Sequence, residues 1–413
     1  SPGGFQGPGR PGPGAEMGAG MGRPGPGPSS GGAPPPPRYL TEVKLAISPT
    51  GMIACNFAYN VEIMQVVRGV PGAVFNNGSK RWEVPVASHD ALLAALNGAQ
   101  NLNMKIVPVE KMPLDALRES KKWPNDLARY GGIPADLEGR LMPFQREGIK
   151  FALQRGGRVL IGDEMGLGKT VQAIGILSAF PEDRPALILC PPSLREQWAD
   201  ALNKWLHVDE SQIHVCISGP DMKSKERDKQ YVIMSYDQVG KMAEVGWSTK
   251  FVSVVADESH SIKNPAAKRT KATLPVLKMA RRVILLSGTP ALSRPCELLM
   301  QLAALLPNTF NKTHNGCPFH MRYCYSASGA ARGFDTYKGC LNGDELHRWL
   351  TQAVMIRRQK MEVLKDLPSK RRQQVILTLG DKQRKQLADL HATMEELKRA
   401  MPPGGGEEQG DQS

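Results

Sequence analysis

The sequence has no run of about 18 apolar residues, the length that a membrane-spanning helix needs, and its first residues lack the apolar stretch of a secretory signal. It also has no Cys-x-x-Cys pair, and its seven cysteines are an odd number, which argues against a disulfide framework. These absences favour a protein of a reducing compartment with no membrane partner.

Acidic residues are too few to balance the basic ones. The 40 Asp and Glu residues stand against 53 Lys and Arg residues, which gives a formal net charge of +13. Such an excess favours a polyanionic partner, because lysine and arginine neutralise phosphates and release their counterions. Charge alone leaves DNA, RNA and an acidic protein open.

Large apolar side chains are almost missing at both ends of the chain. Residues 1–37 are mostly Gly and Pro, and residues 401–413 are Pro, Gly and polar residues. Neither segment can bury enough apolar surface to offset its loss of conformational entropy, so both are predicted to be disordered. For residues 1–37 a linker is favoured over a ligand for a proline-recognition module. Residues 111–139, with scattered Pro and Gly, are expected to form a connector.

Residues 38–110 are predicted to form a small α+β module. Apolar and polar residues alternate in segments 43–47 and 82–86, as in half-buried strands. Asn77-Gly78 predicts a tight turn in which both residues have a positive φ. Ser88 is expected to cap a short helix that follows it.

The next part of the chain alternates short apolar segments with helical patterns, which predicts an α/β fold: a parallel sheet with helices on both faces. Ligands in such sheets bind beyond the carboxyl ends of the strands. Helices are also expected at 345–357 and, with an apolar face, around 387–397. The six predicted strands are Arg158–Ile161, Ala186–Cys190, Ile213–Ile217, Tyr231–Met234, Phe251–Ala256 and Val283–Leu286.

A glycine-rich loop follows the first of these strands and predicts an ATP site. Its glycines let backbone amides approach phosphate oxygens, Lys169 reaches the β- and γ-phosphates, and Thr170 places its hydroxyl on Mg²⁺. Asp163 stands where the strict phosphate-loop pattern has its first glycine, a departure that matches the looser loop of helicase-type motors. The loop residues predicted to bind ATP are Asp163, Glu164, Met165, Gly166, Leu167, Gly168, Lys169 and Thr170.

Two adjacent carboxylates, Asp257 and Glu258, follow the very apolar strand 251–256. ATP hydrolysis needs two such groups: Asp257 to hold Mg²⁺ through its water shell, and Glu258 to orient or deprotonate the attacking water. Lys169, Asp257 and Glu258 are therefore the predicted catalytic residues, and Thr170 and Asp257 the predicted metal ligands. The alternative, a charge pair at a helix N-terminus, leaves the preceding strand unexplained.

Two of three further features each have two interpretations. Gln145, upstream of the loop, is either an adenine-reading glutamine or an exposed helical residue. Ser193 to Glu196 reads as a helix capping box. A cluster of two cysteines and two histidines is either a structural metal site or, as favoured, a set of ordinary buried side chains, because its spacing matches no standard zinc pattern. The cluster is His314, Cys317, His320 and Cys324.

These sequence motifs, in this order, resemble those of the first motor lobe of the Swi/Snf-type, superfamily-two DNA translocases. Asp-Glu-Ser-His at 257–260 distinguishes the chain from RNA helicases, which have Asp-Glu-Ala-Asp. The resemblance implies a RecA-like lobe at 140–356, the start of an inter-lobe region at 357–400, and use of ATP and Mg²⁺. It is carried by Asp163–Thr170, Leu187–Leu194, Ser235–Asp237, Asp257–His260 with Lys263-Asn264, and Leu285–Pro290.

The same resemblance implies roles for residues outside the ATP loop. Coupling of the nucleotide to movement is implied for His260, Ser287, Gly288 and Thr289. Contact with the DNA backbone is implied for Pro192, Ser193, Tyr236, Lys263 and Asn264. A second motor lobe, which normally supplies an arginine finger worth about 10³–10⁵ in rate, is expected outside these residues, so the 413 residues alone are expected to hydrolyse ATP slowly.

Residues 38–110 resemble the HARP (HepA-related protein) domain that accompanies this motor in annealing helicases. The resemblance lies in Phe57-x-Tyr59-Asn60, Phe75 and the segment 80–85. Lys80 and Arg81, near the turn, are predicted to bind DNA at a junction of single and double strands. Trp82 could stack on a base, but its place in the alternation favours core packing.

Together the two resemblances imply an ATP-dependent annealing helicase that rewinds separated strands and remodels replication forks in the nucleus. Forked DNA would be its partner, with a single-stranded-DNA-binding protein reached through segments outside this chain. The alternatives are a nucleosome-remodelling ATPase and a non-catalytic DNA-binding scaffold. Intact Lys169, Thr170, Asp257 and Glu258 argue against the scaffold.

Overall fold

The structure is a computed structural model in which the chain divides into two units, 1–357 and 358–413. Thr289, both predicted disordered tails and about half of the predicted C-terminal helix lie outside the described residues. Within the part that the structure describes, no helix is long and apolar enough to cross a membrane. The described residues are 40–218, 220–223, 229–242, 244, 246, 247, 251–288, 294–314, 317–326, 337–363, 380, 385, 388–390 and 392–394.

The first unit begins with a five-stranded sheet of order β3-β4-β2-β1-β5, in which only the β1–β5 pair is parallel. Val43, Leu45 and Ile47 of β1 are at most 3% exposed, which confirms the alternation predicted there. Helices α1 (Val61–Arg68) and α2 (His89–Gly98) accompany this sheet. The strands are β1 (Thr41–Ile47), β2 (Ile53–Asn56), β3 (Val74–Asn76), β4 (Arg81–Val84) and β5 (Met104–Val107).

The β3–β4 hairpin has a turn where the sequence predicts one, but its geometry differs. The positive φ of 54° falls on Lys80 and not on Asn77 or Gly78. The Asn76 side chain closes the loop by accepting hydrogen bonds from the amides of Gly78 and Ser79 at 2.9 and 3.1 Å. A four-residue loop held by this side chain therefore replaces the predicted two-residue turn.

Helix α2 starts directly after Ser88, as predicted, but Ser88 does not cap it through its side chain. The Ser88 hydroxyl donates to the Pro71 carbonyl at 2.8 Å. Ser88 ends a 3₁₀ turn with φ −91° and ψ 5°, whereas a capping side chain needs an extended backbone.

The predicted connector carries helices α3 (Lys111–Ser120) and α4 (Ala135–Gly139) and is bonded to the rest of the unit. The buried Glu119 carboxylate accepts hydrogen bonds from the backbone amides of Asn308 and Thr309 at 3.1 and 2.8 Å. These bonds fix the end of α3 against a loop almost two hundred residues later in the chain.

The larger sheet has seven parallel strands in the order β14-β6-β11-β10-β7-β9-β8, which confirms the predicted α/β fold. All six predicted strands are present, with ends that differ by up to two residues. The strands are β6 (Arg158–Ile161), β7 (Ala186–Cys190), β8 (Ile213–Val215), β9 (Tyr231–Ser235), β10 (Ser253–Ala256), β11 (Arg282–Leu286) and β14 (Met355–Ile356).

Strand β14 corrects the prediction of a helix through residue 357. Helix α11 (Gly343–Ala353) ends earlier, and the chain then pairs with β6. The amides of Leu160 and Gly162 donate to the carbonyls of Val354 and Ile356 at 2.8 and 2.7 Å. This pairing is a tertiary contact that local sequence preference does not encode.

Both faces of the large sheet are covered, because successive strand residues enter two different cores. On one face the strands pack against α5 (Pro143–Leu153), α6 (Lys169–Ser178) and α7 (Arg195–Leu206). On the other face they pack against α8 (Lys268–Met279) and α9 (Leu299–Leu305). Helix α10 (Pro318–Tyr323) leads into a two-stranded ribbon of β12 (Cys324–Ser326) and β13 (Tyr337–Cys340). In the second unit, Lys360–Val363 form a short helix.

Two buried arginines lie at the amino ends of neighbouring strands in this sheet. Arg158 opens β6 and donates to the carbonyls of Leu305 and Ala280 at 3.0 and 2.7 Å. Arg282 opens β11 and is 1% exposed. It pairs with Asp183 at 2.9 Å and Asp126 at 3.1 Å, the latter from the connector.

Candidate nucleotide-binding site

The sequence motifs that are predicted to form the ATP site come together at the carboxyl ends of three adjacent strands. The glycine-rich loop follows β6, Ser287-Gly288 follows β11, and Asp257-Glu258 follows β10. The strands end at nearly the same level, since Ile161 pairs with Leu286 and Leu285 with Ala256. Parallel pairing therefore places three distant segments of the sequence at one edge.

The glycine-rich loop requires glycine at two positions. Gly166 and Gly168 have φ values of 85° and 73°, in the left-handed region that favours glycine. A Cβ atom on Gly168 would lie 2.4 Å from Nε2 of Gln145. The loop can therefore pass close to α5 and then start helix α6 at Lys169 with its amides directed at the loop.

The Gln145 side chain holds this loop in place by a hydrogen bond. It is 8% exposed, which excludes the exposed helical interpretation. Its Oε1 accepts a hydrogen bond from the Met142 amide at 2.9 Å, and its Nε2 donates to the Leu167 carbonyl at 3.2 Å. Reading of adenine by Gln145 stays a prediction.

Asp163, in place of the usual first glycine, is fully buried. Its carboxylate accepts a hydrogen bond from Nε2 of Gln172 at 2.9 Å, and its carbonyl accepts one from Nζ of Lys169 at 3.1 Å. An aspartate here ties the loop to helix α6. Gln172 was missed by sequence reasoning, although a polar residue among the apolar residues of α6 was a usable signal.

Asp257 is 7% exposed, and both its carboxylate and its backbone carbonyl accept hydrogen bonds. Its two carboxylate oxygens accept hydrogen bonds from Nε1 of Trp198 and from the Glu258 amide, each at 2.9 Å. Its carbonyl accepts a bond from the Tyr236 hydroxyl at 2.6 Å. Burial raises the pKa of Asp257 above its ordinary value, and the two donors to its carboxylate oppose that shift. Sequence reasoning missed Trp198, because nothing in its pattern distinguishes it from an ordinary apolar residue of a helix.

Glu258 has a left-handed backbone, with φ 46° and ψ 52°, which is a strained conformation for a side chain of this size. Its Oε2 lies 3.2 Å from Nδ1 of His260. The close contact with His260 holds the pKa of Glu258 below its ordinary value, and the Gly288 amide acts in the same direction. Glu258 is therefore the residue that contacts the segment after β11.

The coupling residues are only partly described. His260 lies beside Glu258, with 3.2 Å between its Nδ1 and Oε2 of Glu258. Ser287 is fully buried, and its amide donates to the Ile161 carbonyl at 3.1 Å. A Cβ atom on Gly288 would lie 2.7 Å from Cγ of Met165 and 3.5 Å from Nζ of Lys169. Glycine at this position lets the segment lie close to the phosphate loop with Met165 in its present place. Thr289 lies outside the described residues.

The residues expected to contact DNA divide into accessible and buried ones. Pro192, Ser193 and Lys263 are exposed and Asn264 is half-buried, all at loops beyond strand ends. Tyr236 is 4% exposed and its hydroxyl is bonded to Asp257, so the predicted DNA contact of this side chain is replaced by an internal one.

Ser193 does not cap helix α7. That helix begins at Arg195 after a 3₁₀ turn at Pro192–Leu194, and no side chain caps it. The predicted capping box is therefore wrong.

The hairpin of the small sheet presents Lys80 and Arg81 to solvent. Trp82 is half-buried and packs against the core, with its ring edge-on to Phe75 at 5.7 Å between centroids. This agrees with the core interpretation of Trp82.

The cysteine and histidine cluster forms no metal site among the described residues, where no group of three or more His, Cys, Asp and Glu is arranged to hold an ion. Cys317 and His320 are in contact, with Sγ 3.5 Å from Nδ1. The other two members do not complete a ligand set with them.

The SNF2-related domain matches residues 144–402. The chain belongs to the SNF2-related family. This places it among DNA-dependent ATPases and agrees with the Swi/Snf-type resemblance of the first motor lobe.

Similar proteins carry related names. The chain is 36% identical over 349 residues to "SWI/SNF-related matrix-associated actin-dependent regulator of chromatin subfamily A-like protein 1" of Xenopus laevis, covering 82% of this chain and 35% of that protein. It is 38% identical over 284 residues to "DNA annealing helicase and endonuclease ZRANB3" of Homo sapiens, covering 67% of this chain and 26% of that protein. The chain thus spans about a third or less of these relatives.

Among solved structures, the chain is similar to "Sulfolobus solfataricus SWI2/SNF2 ATPase core in complex with dsDNA". The TM-score is 0.46 and the sequence identity 22%, over 65% of this chain and 56% of that one.

Proposed function

We propose that the protein is an ATP-dependent DNA annealing helicase, which couples ATP hydrolysis to rewinding of separated strands at replication forks in the nucleus. The observation that carries the proposal is the meeting of the phosphate loop, the Asp257-Glu258 pair and the Ser287-Gly288 segment at one sheet edge. The name "DNA annealing helicase" of a relative 38% identical to the chain supports the rewinding part.

The residues at this edge fit ATP with Mg²⁺. Thr170 and Asp257 line the same cavity of about 400 Å³, and hydroxyl and carboxylate oxygens are the ligands that Mg²⁺ prefers. When bound, the ion would neutralise charge on the phosphates. We infer that Lys169 binds the β- and γ-phosphates once it leaves the Asp163 carbonyl, and that Glu258 orients the attacking water.

DNA is proposed to bind along the same edge and on the small sheet. Pro192, Ser193, Lys263 and Asn264 would contact the phosphate backbone without reading bases, which suits tracking along any sequence. In the HARP-like module, residues 38–110, Lys80 and Arg81 would add electrostatic contact at a junction of single and double strands.

The proposal is tested by rewinding. A partly melted duplex coated with a single-stranded-DNA-binding protein is mixed with the full-length protein and ATP, and strand pairing is followed by loss of fluorescence. Lys169→Ala should lose rewinding while it retains DNA binding, and the exposed Lys150→Ala on α5 should behave as the unsubstituted protein. Equal rewinding by Lys169→Ala would refute the motor and favour a non-catalytic scaffold.

A second candidate is nucleosome remodelling, which the phrase "regulator of chromatin" in a relative's name favours. The same two variants in a nucleosome-sliding assay separate the candidates. Sliding that needs Lys169, without rewinding of naked DNA, would select the remodeller.

A further inference from the structure

We propose that Trp198 is a positioning residue for the nucleotide site, because its indole N–H orients the Asp257 carboxylate toward a bound metal ion and nucleotide. The inference rests on the proposed ATPase function and adds a residue that lies on helix α7, outside the phosphate loop and the strand ends.

The geometry of the bond is specific. Nε1 of Trp198 donates to Oδ2 of Asp257 at 2.9 Å, and the two side chains are 2% and 7% exposed. An indole has one donor and no acceptor, so this bond uses its full capacity. A hydrogen bond to a charged group in such a buried place is stronger than one between neutral groups.

The other contacts of Asp257 show what Trp198 adds. Oδ1 accepts from the Glu258 amide at 2.9 Å, while the Tyr236 hydroxyl and the Leu189 carbonyl hold the Asp257 backbone at 2.6 and 2.7 Å. The Glu258 bond is local and leaves the carboxylate free to rotate about it. The Trp198 bond fixes the second oxygen and therefore the carboxylate plane.

The fixed carboxylate retains capacity for a ligand. An ionised carboxylate has about four lone-pair positions, and the described bonds use one on each oxygen. Asp257, Thr170 and Trp198 line one cavity of about 400 Å³. The bond thus orients the unused lone pairs within a cavity shared with the other predicted metal ligand.

Packing alone is the competing explanation, and a neighbour on the same helix provides the control. Trp205 lines the same cavity, but its ring stacks on the Arg140 guanidinium at 4.1 Å and it makes no hydrogen bond to Asp257. If Trp198 only filled space, loss of its N–H would affect metal-bound and metal-free nucleotide equally.

The test measures metal binding and uses Mn²⁺ as a paramagnetic probe. The 413-residue chain, Trp198→Phe and Trp205→Phe are titrated with Mn²⁺ in the presence of ADP and followed by electron paramagnetic resonance. Affinity for fluorescent ADP is also measured in EDTA, and thermal unfolding monitors the fold. Trp198→Phe should weaken Mn²⁺ binding about 10- to 100-fold, as expected for loss of a partner of a metal ligand. Its metal-free ADP affinity and all values for Trp205→Phe should stay within about twofold of the unsubstituted chain, since neither depends on this bond.

An isosteric replacement covers the case in which Trp198→Phe does not fold. An unnatural amino acid with benzothiophene in place of indole keeps the shape and removes only the N–H, and it should show the same selective loss. Unchanged Mn²⁺ affinity, or equal losses with and without metal, would overturn the role of Trp198. Absence of metal-dependent ADP binding in the unsubstituted chain would overturn the proposed ATP site itself.

Discussion

The two ends of the large sheet use charged residues in opposite ways. At the amino ends, Arg158 and Arg282 are buried and bonded to carbonyl and carboxylate oxygens of the fold. At the carboxyl ends, Lys169 and Glu258 are only half-buried, and Gly288 lies against them. Lys169 and Gly288 follow β6 and β11, the strands that Arg158 and Arg282 open, and Glu258 follows the neighbouring β10.

This difference separates charges that belong to the fold from charges available to a ligand. A buried ion pair that loses one partner leaves an unpaired charge, so it acts on stability. A half-buried group in a strained or close-packed loop can change its contacts when a ligand arrives. Substitutions at the two ends should therefore affect different measurements.

The largest effect is expected at the carboxyl end. Glu258→Gln should reduce kcat about 10²- to 10⁴-fold, because the group that activates water is lost, while ATP still binds. Steady-state ATPase assays with DNA, on the full-length protein, measure this. The exposed Glu196→Gln on α7 is the control and should retain full turnover. Parallel loss of nucleotide affinity in Glu258→Gln would contradict the assigned role.

At the amino end the expected effect is on folding. Arg282→Met should lower the free energy of unfolding by about 3–5 kcal/mol, because Asp183 and Asp126 lose their buried partner. Denaturant titration measures the loss, with the neighbouring exposed Arg281→Met expected to stay within about 0.5 kcal/mol of the unsubstituted chain. If Arg282→Met kept its stability but lost nucleotide binding, the charges at the amino end would serve the ligand and not the fold, which would contradict the comparison.

The hairpin of the small sheet should behave like the carboxyl end, with charges free for a ligand. The described residues include no ion pair to Lys80 or Arg81, so Lys80→Ala with Arg81→Ala should leave stability unchanged. Fork-DNA binding should weaken, and the slope of log K against log salt should fall by about two, one for each phosphate contact. Lys44→Ala with Lys105→Ala removes the same charge from the same module as a control. Equal slopes for both pairs would remove the hairpin from the DNA interface.

The smallest changes in the free energy of unfolding are expected at two residues that lie just before or near the start of a helix, Ser193 and Asn60. Ser193→Ala should change the free energy of unfolding by no more than about 0.5 kcal/mol, because Ser193 makes no capping bond. Asn60→Ala should cost about 0.5–2 kcal/mol, since the Asn60 side chain caps α1 by accepting from the amides of Glu62 and Ile63. A cost at Ser193 similar to that at Asn60 would restore the capping box.

The parts of the fold with a repeating local pattern could be predicted from the sequence. The apolar strands of the parallel sheet and the order of loop, Asp257-Glu258 and Ser287-Gly288 follow from periodicity and from residue types that the chemistry needs. Their convergence also followed, because parallel strands end at one edge of a sheet.

The remainder depends on contacts between distant segments. Strand β14 exists because Leu160 of β6 and Gly162 just after it offer two amide donors, and Trp198 acts through a residue 59 positions away. The positive φ at Lys80 and the 3₁₀ turn before α7 depend on loop closure and not on the strongest local turn or cap signal. Buried hydrogen bonds between distant residues leave no periodic pattern in the sequence from which they could be predicted.

Nucleotide binding by these 413 residues tests the central claim most directly. Isothermal titration with ATP and Mg²⁺ should give one site per chain, and Lys169→Ala should weaken it at least about tenfold through loss of a charge-assisted bond, with Lys150→Ala unchanged. Unaltered affinity in Lys169→Ala, or no binding by the unsubstituted chain, would contradict the assignment of the three strand ends as an ATP site.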